Sequence, residues 1–204
     1  MPNWCINSIQ IAGPKDYIEG LAAAAKAGNF CNFIKPVPEV LRETTAGSFS
    51  DAEKQAALEL QEAANIDEHG YKNWYDFCVG EWGTKWDVGS EDSFIEVSEN
   101  AETGKWVMNF SFDSAWAPPI EIYEAIAEAG HEIEAYYYEP GMAFCGKFTN
   151  EDGDDYYEIT GNSDWVAANI PEDIDVAMGI SEDMSSWEEM ETDEAVEAEA
   201  DKTE

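Results

Sequence analysis

Negative charge is distributed along the whole chain, and this limits the folds that the chain can adopt. Forty-five Asp and Glu side chains stand against ten Lys and Arg in 204 residues, so the formal net charge is -35. The segment 181–204 holds eleven of the acids and one Lys, which leaves a net charge of -25 on the first 180 residues. Charge at that density opposes compaction, so a folded chain of this kind needs a substantial hydrophobic core.

The composition can supply such a core. Apolar residues make up 44% of the chain and aromatic residues 13%, with eight Trp, whereas disordered acidic chains contain few aromatics. The four cysteines form no C-x-x-C pair, and no secretory signal or long apolar run opens the chain. We therefore expect a soluble, cytoplasmic, monomeric or dimeric protein with buried free thiols.

The order of the predicted elements is that of a ferredoxin-like sandwich. Alternation over 3–11 predicts a strand, and a helix follows to about Lys26. Segments 94–98 and 105–112 predict a hairpin, which a helix at 120–129 and a strand at 132–139 follow. This β-α-β-β-α-β order predicts an α+β, ferredoxin-like fold.

Several additions to that fold are also predicted. The Ala- and Glu-rich segment and the aromatic segment after it form a helical insert at about 50–82. Extra antiparallel strands at 142–149 and 156–160 flank a hairpin turn at 151–155. The predicted organisation is one ferredoxin-like domain over 1–170, a short helical extension over 171–185 and a disordered acidic tail over 186–204.

No motif of a known catalytic or metal site is present. His69 lies in a helix-ending His-Gly pair and His131 lies between a glycine and a strand, so both suit structural roles. The polar side chains at 150–155 lack the glycine and glutamate spacing of a calcium loop, which favours a plain hairpin turn. We therefore expect a protein that is not an enzyme, with no catalytic residue, no metal and no cofactor.

Four motif blocks occur in a fixed order. They are Met1-Pro2-Asn3-Trp4-Cys5-Ile6-Asn7, Trp82-Gly83-Thr84-Lys85-Trp86-Asp87, Ser114-Ala115-Trp116-Ala117-Pro118-Pro119 and Tyr138-Glu139-Pro140-Gly141. In these blocks the chain resembles the YubB-like, ferredoxin-domain proteins of phages and conjugative plasmids. The resemblance implies a ferredoxin-like fold and a mobile-element origin, and it carries no defined activity.

We expect most motif residues to be structural, because aromatic side chains dominate core burial. A ligand platform made by Lys85 between two Trp remains an alternative. The residues concerned are Asn3, Trp4, Cys5, Asn7, Trp82, Gly83, Thr84, Lys85, Trp86, Trp116, Pro118 and Pro119.

The acidic surface is the strongest indication of function. With a single Arg in the chain, free nucleic acid and anionic membrane should be repelled, whereas a basic groove on another protein should be attracted. We expect an acidic partner-binding face that consists of Glu121, Glu124, Glu128, Glu132, Glu134, Asp152, Asp154 and Asp155.

The functional hypothesis follows from that face and from the resemblance. A phage or plasmid accessory protein of this kind would mimic nucleic acid without catalysis. It would inhibit a basic nucleic-acid-binding host protein, such as a defence nuclease or restriction complex. Two alternatives remain: an adaptor that binds through exposed Trp and Pro motifs, and an acidic surface that serves only solubility or tolerance of high salt.

Overall fold

A single antiparallel sheet organises the chain in the computed structural model, which describes the backbone of residues 3–200 and the side chains of residues 3–190. The sheet has six strands in the order β2-β3-β1-β4-β5-β6. The strands are β1 (Trp4–Gly13), β2 (Phe94–Glu99), β3 (Trp106–Ala115), β4 (Glu132–Glu139), β5 (Phe144–Thr149) and β6 (Gly153–Glu158).

The helices lie between and after these strands. They are α1 (Lys15–Lys26), α2 (Phe30–Ile34), α3 (Glu39–Glu43), α4 (Ala52–His69), α5 (Trp74–Trp82), α6 (Ile120–Glu128), α7 (Ser163–Asn169), α8 (Glu172–Met178) and α9 (Ile180–Ala200). Helices α4 and α5 occupy the predicted insert. Asp51 and Asn73 cap them by accepting hydrogen bonds from backbone N–H groups of the first turn, which explains where each helix begins.

The main core lies between one face of the sheet and helices α1 and α6. Strand β1 alternates as the sequence predicts, so Ile9 and Ile11 are buried on this face while Gln10 is exposed. The apolar stripe of α6, which includes Ile122 and Ile126, packs into the same core. Helix α6 packs on β4, and α1 packs on the other half of the sheet.

A second, smaller core lies on the opposite face of the sheet. Tyr138 of β4 and Cys145 of β5 pack there against Val166, Ile174 and Ile180, which come from α7, α8 and α9. These helices cover only the β4–β5 half of that face. Trp4, Ile6 and Phe94, on β1 and β2, remain between 42% and 61% exposed on the other half.

Two sequence predictions differ from the structure in this region. The turn predicted at 151–155 is shorter, because β6 begins at Gly153 and so includes Asp154 and Asp155. The tail predicted to be disordered from residue 186 is instead helical as far as residue 200, and residues 201–204 lie outside the described part. Ile180 and Met184 pack on the second core and so anchor the first turns of this helix.

Two further findings concern the chain as a whole. All four cysteines are buried and free, as predicted, and burial raises the pKa of each thiol. Among the described residues, no helix is both long enough and apolar enough to cross a membrane.

Candidate functional site: an exposed tryptophan surface

All four motif blocks meet at one end of the sheet, where Tyr138 pairs with Ile6 and Gly141 lies against the Asn3 side chain. The register of β1 and β3 places Trp4 opposite Ala115, and the Trp116 backbone N–H donates to the Asn3 carbonyl at 2.9 Å. The Thr84 hydroxyl, in the loop after α5, donates to the Ala115 carbonyl at 3.0 Å. Residues that are 113 and 31 positions apart in sequence are therefore joined by short hydrogen bonds.

Several motif residues have structural roles at this junction. Asn7 is fully buried, where its side-chain amide donates to the Ser114 hydroxyl at 2.9 Å and its carbonyl accepts from the Tyr123 hydroxyl at 2.9 Å. The Trp82 indole is 4% exposed and donates to the Lys35 carbonyl. The motif residues that are buried in this way are Cys5, Asn7, Trp82, Thr84, Pro118 and Pro119.

Other motif residues lie at the surface. Trp4, Trp86 and Trp116, which we call the tryptophan surface, are 47%, 40% and 43% exposed. The ring centroids of Trp4 and Trp86 lie 6.0 Å apart. The Lys85 ammonium lies 4.6 Å from the Trp86 ring centroid and 5.1 Å from that of Trp116. Trp86 thus contacts both Trp4 and the Lys85 cation, and Lys85 in turn lies against Trp116.

The backbone at Trp116 has an uncommon conformation. Its φ angle is 72°, in the left-handed region that non-glycine residues rarely adopt. A bulky residue in this conformation costs about 1 to 2 kcal/mol. A glycine would remove that cost, so the backbone at this position is strained.

Two cavities flank the tryptophan surface. One, of about 720 Å³, lies between Trp74, Tyr75, Trp86 and Trp116. The other, of about 360 Å³, lies beneath Trp86 and is also lined by Arg42. The side chains of Lys85 and Trp86 line both cavities, so they lie between the two. Exposed aromatic side chains beside cavities are typical of sites that bind a partner or ligand.

The predicted acidic face is divided between two sides of the sheet. Glu132 and Glu134 point away from α6, and each forms an ion pair, with Lys105 and with Lys147 respectively. Asp155 faces Lys147 across β5 and β6, so it shares this side. The eight carboxylates therefore do not form a single surface, because side chains alternate between the faces of a strand.

The structure does bring Glu121, Glu124 and Asp154 close together. The negative charge of Glu124 contributes to raising the pKa of both other carboxyls, although burial is the main cause in each case. Asp154 also accepts a hydrogen bond from the Tyr137 hydroxyl at 2.7 Å. Glu128 is exposed at the end of the same helix, and Asp152 lies in the β5–β6 turn, where its backbone N–H donates to the Thr149 hydroxyl.

The sequence predicts Glu121 as a contact residue on the surface, but the structure places part of its carboxylate inside the protein. Its Oε2 atom is buried without a hydrogen-bond partner among the described residues, and it lies against Gly83. Burial raises the pKa of its carboxyl above the ordinary value. The contact comes from a loop distant in sequence, which helical spacing cannot reveal.

The two histidines and the β5–β6 turn have local structural contacts. His131 stacks on Tyr17 with 3.8 Å between ring centroids, and burial lowers its pKa. The Asn150 side chain accepts from the Ile133 backbone N–H and donates to the His131 carbonyl. Across the part of the chain that the structure describes, no group of three or more His, Cys, Asp or Glu is placed to hold a metal ion.

Sequence reasoning gave the exposure of the tryptophans only as an alternative, although part of the signal was present at Trp4. Trp4 precedes Ile6 and Ser8 on the face of β1 opposite Cys5 and Asn7. A strand with apolar residues on both faces is either buried on both or exposes one apolar face. The structure shows the second case.

Comparison with known proteins supports the fold of the C-terminal half. Residues 81–175 match the family model described as the ferredoxin-like domain in Api92-like protein. This segment supplies five of the six strands, and β1 from residues 4–13 inserts between its β3 and β4. No curated protein matches the chain.

One solved structure is also similar to this chain. It is the crystal structure of the protein api92 from Yersinia pseudotuberculosis, at 14% sequence identity and a TM-score of 0.36. The similarity covers 79% of this chain and 99% of that one. The family model alone identifies residues 81–175 as similar to the ferredoxin-like domain of Api92-like proteins.

Proposed function

We propose that the chain is a non-catalytic accessory protein of a phage or plasmid, related to the YubB-like proteins, that mimics nucleic acid. It binds a basic nucleic-acid-binding protein in the host cytoplasm, such as a defence nuclease or a restriction complex, and thereby excludes DNA. The observation that carries this proposal is the charge of -35 held largely on a folded scaffold.

The bases of the chain neutralise little of this charge. Five of the ten, Lys15, Lys35, Arg42, Lys105 and Lys147, form ion pairs with carboxylates in the described part. Helices α4, α8 and α9 carry further acids on ordered backbone. A carboxylate on a helix or strand is held at a defined position, which a phosphate mimic requires.

The division of the predicted face changes which carboxylates are suited to this role. Glu124 and Glu128 are exposed on one side of α6, and Asp154 lies near Glu124. Glu132 and Glu134 are less suitable, because Lys105 and Lys147 already neutralise them. We therefore assign the first contacts to the α6 side of the sheet.

Competition with DNA tests the proposal. Host proteins captured by the immobilised chain at about 50 mM salt should be released by duplex DNA and by about 500 mM salt, since contacts between exposed charges are screened. The soluble chain should displace DNA from the captured protein. Capture of proteins that do not bind DNA, or failure to displace it, would contradict the proposal.

A matched pair of variants tests the surface. Glu124→Lys with Glu128→Lys should weaken displacement at least about tenfold, because both attraction and contact are lost. Glu59→Lys with Asp67→Lys makes the same charge change on exposed positions of α4 and serves as control. Equal weakening by both pairs would show that net charge acts without a specific face.

The tryptophan surface favours a second candidate function, an adaptor that binds another protein by shape. Trp86 and Trp116 are exposed beside two cavities, and tryptophans are frequent among the residues that dominate binding energy. Binding of this kind should tolerate added salt and should fail in Trp86→Ala. Salt-sensitive binding that Trp86→Ala leaves unchanged would exclude it.

A further inference from the structure

A cleft on the open half of the sheet combines aromatic rings with unpaired carboxylates. It encloses about 560 Å³ and lies between the sheet face and the loop at 87–93. Trp4, Phe94, Asp92 and Asp113 are among its lining residues. No Lys, Arg or His side chain lines this cleft, whereas Lys85 lines both cavities beside the tryptophan surface.

The register of the strands explains how these groups come together. Asp113 lies opposite Ile6 in the β1–β3 ladder, and Trp4 is two residues from Ile6 on the same face. Phe94 lies opposite Ser111, which is two residues from Asp113 on the same face. Side chains related in this way are within reach of one another. Asp113 therefore lies between two aromatic rings.

The groups in the cleft are available to a ligand. Trp4 is 47% exposed and Phe94 is 61% exposed. Asp92 and Asp113 are exposed, and neither carboxylate has a hydrogen-bond or ion-pair partner among the residues that the structure describes. A third carboxylate, Asp87, is already occupied by the backbone N–H groups of Cys31, Asn32 and Val88.

We infer that this cleft binds an arginine side chain of a basic partner protein, with the guanidinium stacked on Trp4 and paired with Asp92 and Asp113. Arginine fits both parts of the cleft, because its planar cation stacks on aromatic faces and pairs with carboxylates. A lysine ammonium is more strongly hydrated and loses the stacking contribution. This inference rests on the proposed function, which requires a basic partner, and it names where one arginine of that partner is held.

The test uses nona-arginine and nona-lysine as probes on the full chain. Nona-arginine should shift the NMR signal of the Trp4 indole N–H, and it should bind several-fold more tightly than nona-lysine. Asp92→Asn with Asp113→Asn should weaken nona-arginine binding about tenfold. The change removes two ion pairs, and these ion pairs also hold the guanidinium in place against the Trp4 ring. Trp4→Ala should remove the preference for arginine, so that nona-arginine and nona-lysine bind with about equal affinity.

A matched control separates this site from general attraction by charge. Glu59→Gln with Asp67→Asn removes two exposed negative charges on α4 and should weaken binding less than about twofold. Equal weakening by both pairs, or an unchanged Trp4 indole signal, would overturn the inference. Loss of DNA competition with retained arginine binding at the cleft would refute only the nucleic-acid mimicry.

Discussion

Replacement of Glu121 by Gln should stabilise the protein at neutral pH. The Glu121 carboxylate places one oxygen in a buried position without a hydrogen-bond partner, and its pKa is raised, mainly by burial and then by the charges of Glu124 and Glu81. Three effects favour the charged form: a hydrogen bond from the Glu121 backbone N–H, the nearby Lys35, and the position of Glu121 in the first turn of α6. Because the pKa is raised overall, the effects that disfavour the charged form of Glu121 outweigh those that favour it.

The expected gain is about 1 kcal/mol at pH 7. The amide of the Gln side chain keeps polar atoms at this position but carries no charge, so the change removes only the extra cost of burying a charge. Burying an unpaired polar group costs about 1 to 3 kcal/mol and a charged group more, and we take the lower end because this carboxyl is only partly buried. For a protein of this size, 1 kcal/mol corresponds to a rise in Tm of about 2 to 4 °C. Glu124→Gln, on the exposed side of the same helix, should change stability by less than about 0.5 kcal/mol.

The pH dependence of this gain tests its cause. The folded-state pKa of Glu121 is higher than the unfolded-state value, so the wild type loses stability as pH rises through the interval between them. Glu121→Gln cannot ionise, so its advantage should be complete at pH 7 and should disappear near pH 4. Urea denaturation at both pH values measures it. A loss of stability at pH 7, or an equal gain at both values, would refute the reasoning.

Three further predictions concern packing, strain and reactivity. Gly146→Ala should lower the free energy of unfolding, measured by urea denaturation, by about 3 kcal/mol. The added Cβ would overlap the Tyr137 ring and lie 2.5 Å from a backbone oxygen. Gly47→Ala is the control, because no atom lies within 4 Å of its added Cβ. Equal effects would contradict this account. Trp116→Gly should be about 1 kcal/mol more stable than Trp116→Ala, since only glycine adopts a φ of 72° freely, and equal stability would show that the backbone relaxes. The Cys145 thiol, whose pKa burial raises to about 11, should not react with a thiol reagent at pH 8 until the protein unfolds, and rapid labelling of the native protein would contradict its burial.

The parts of the fold that depend on local periodicity could be predicted from the sequence. Strand β1 alternates with a period of two, and the apolar stripe of α6 repeats Ile122 and Ile126 at helical spacing, so both elements and their buried faces follow from the residues alone. The caps Asp51 and Asn73 likewise mark helix starts that the structure contains.

The candidate site depends on contacts that local patterns do not contain. Glu121 follows the helical spacing of Glu124 and Glu128, yet it turns inward because a loop distant in sequence lies against it. The alternation of Glu132 and Glu134 predicts that they share a face, but only the sheet order shows that this face lies opposite α6. The helix after residue 180 is a different case, because Ile180 and Met184 at helical spacing were a signal within an acidic background.

The way α9 closes the second core has a practical consequence for shortening the chain. Ile180 is fully buried, and the Glu188 carboxylate accepts hydrogen bonds from the backbone N–H and the hydroxyl of Ser163 at the start of α7. Proteolysis or truncation before residue 180 would uncover Val166 and Ile174 to water. A truncated protein would still be strongly acidic, but it would expose apolar surface that α9 covers in the full chain. Aggregation after truncation would therefore result from the loss of this cover and not from the loss of charge.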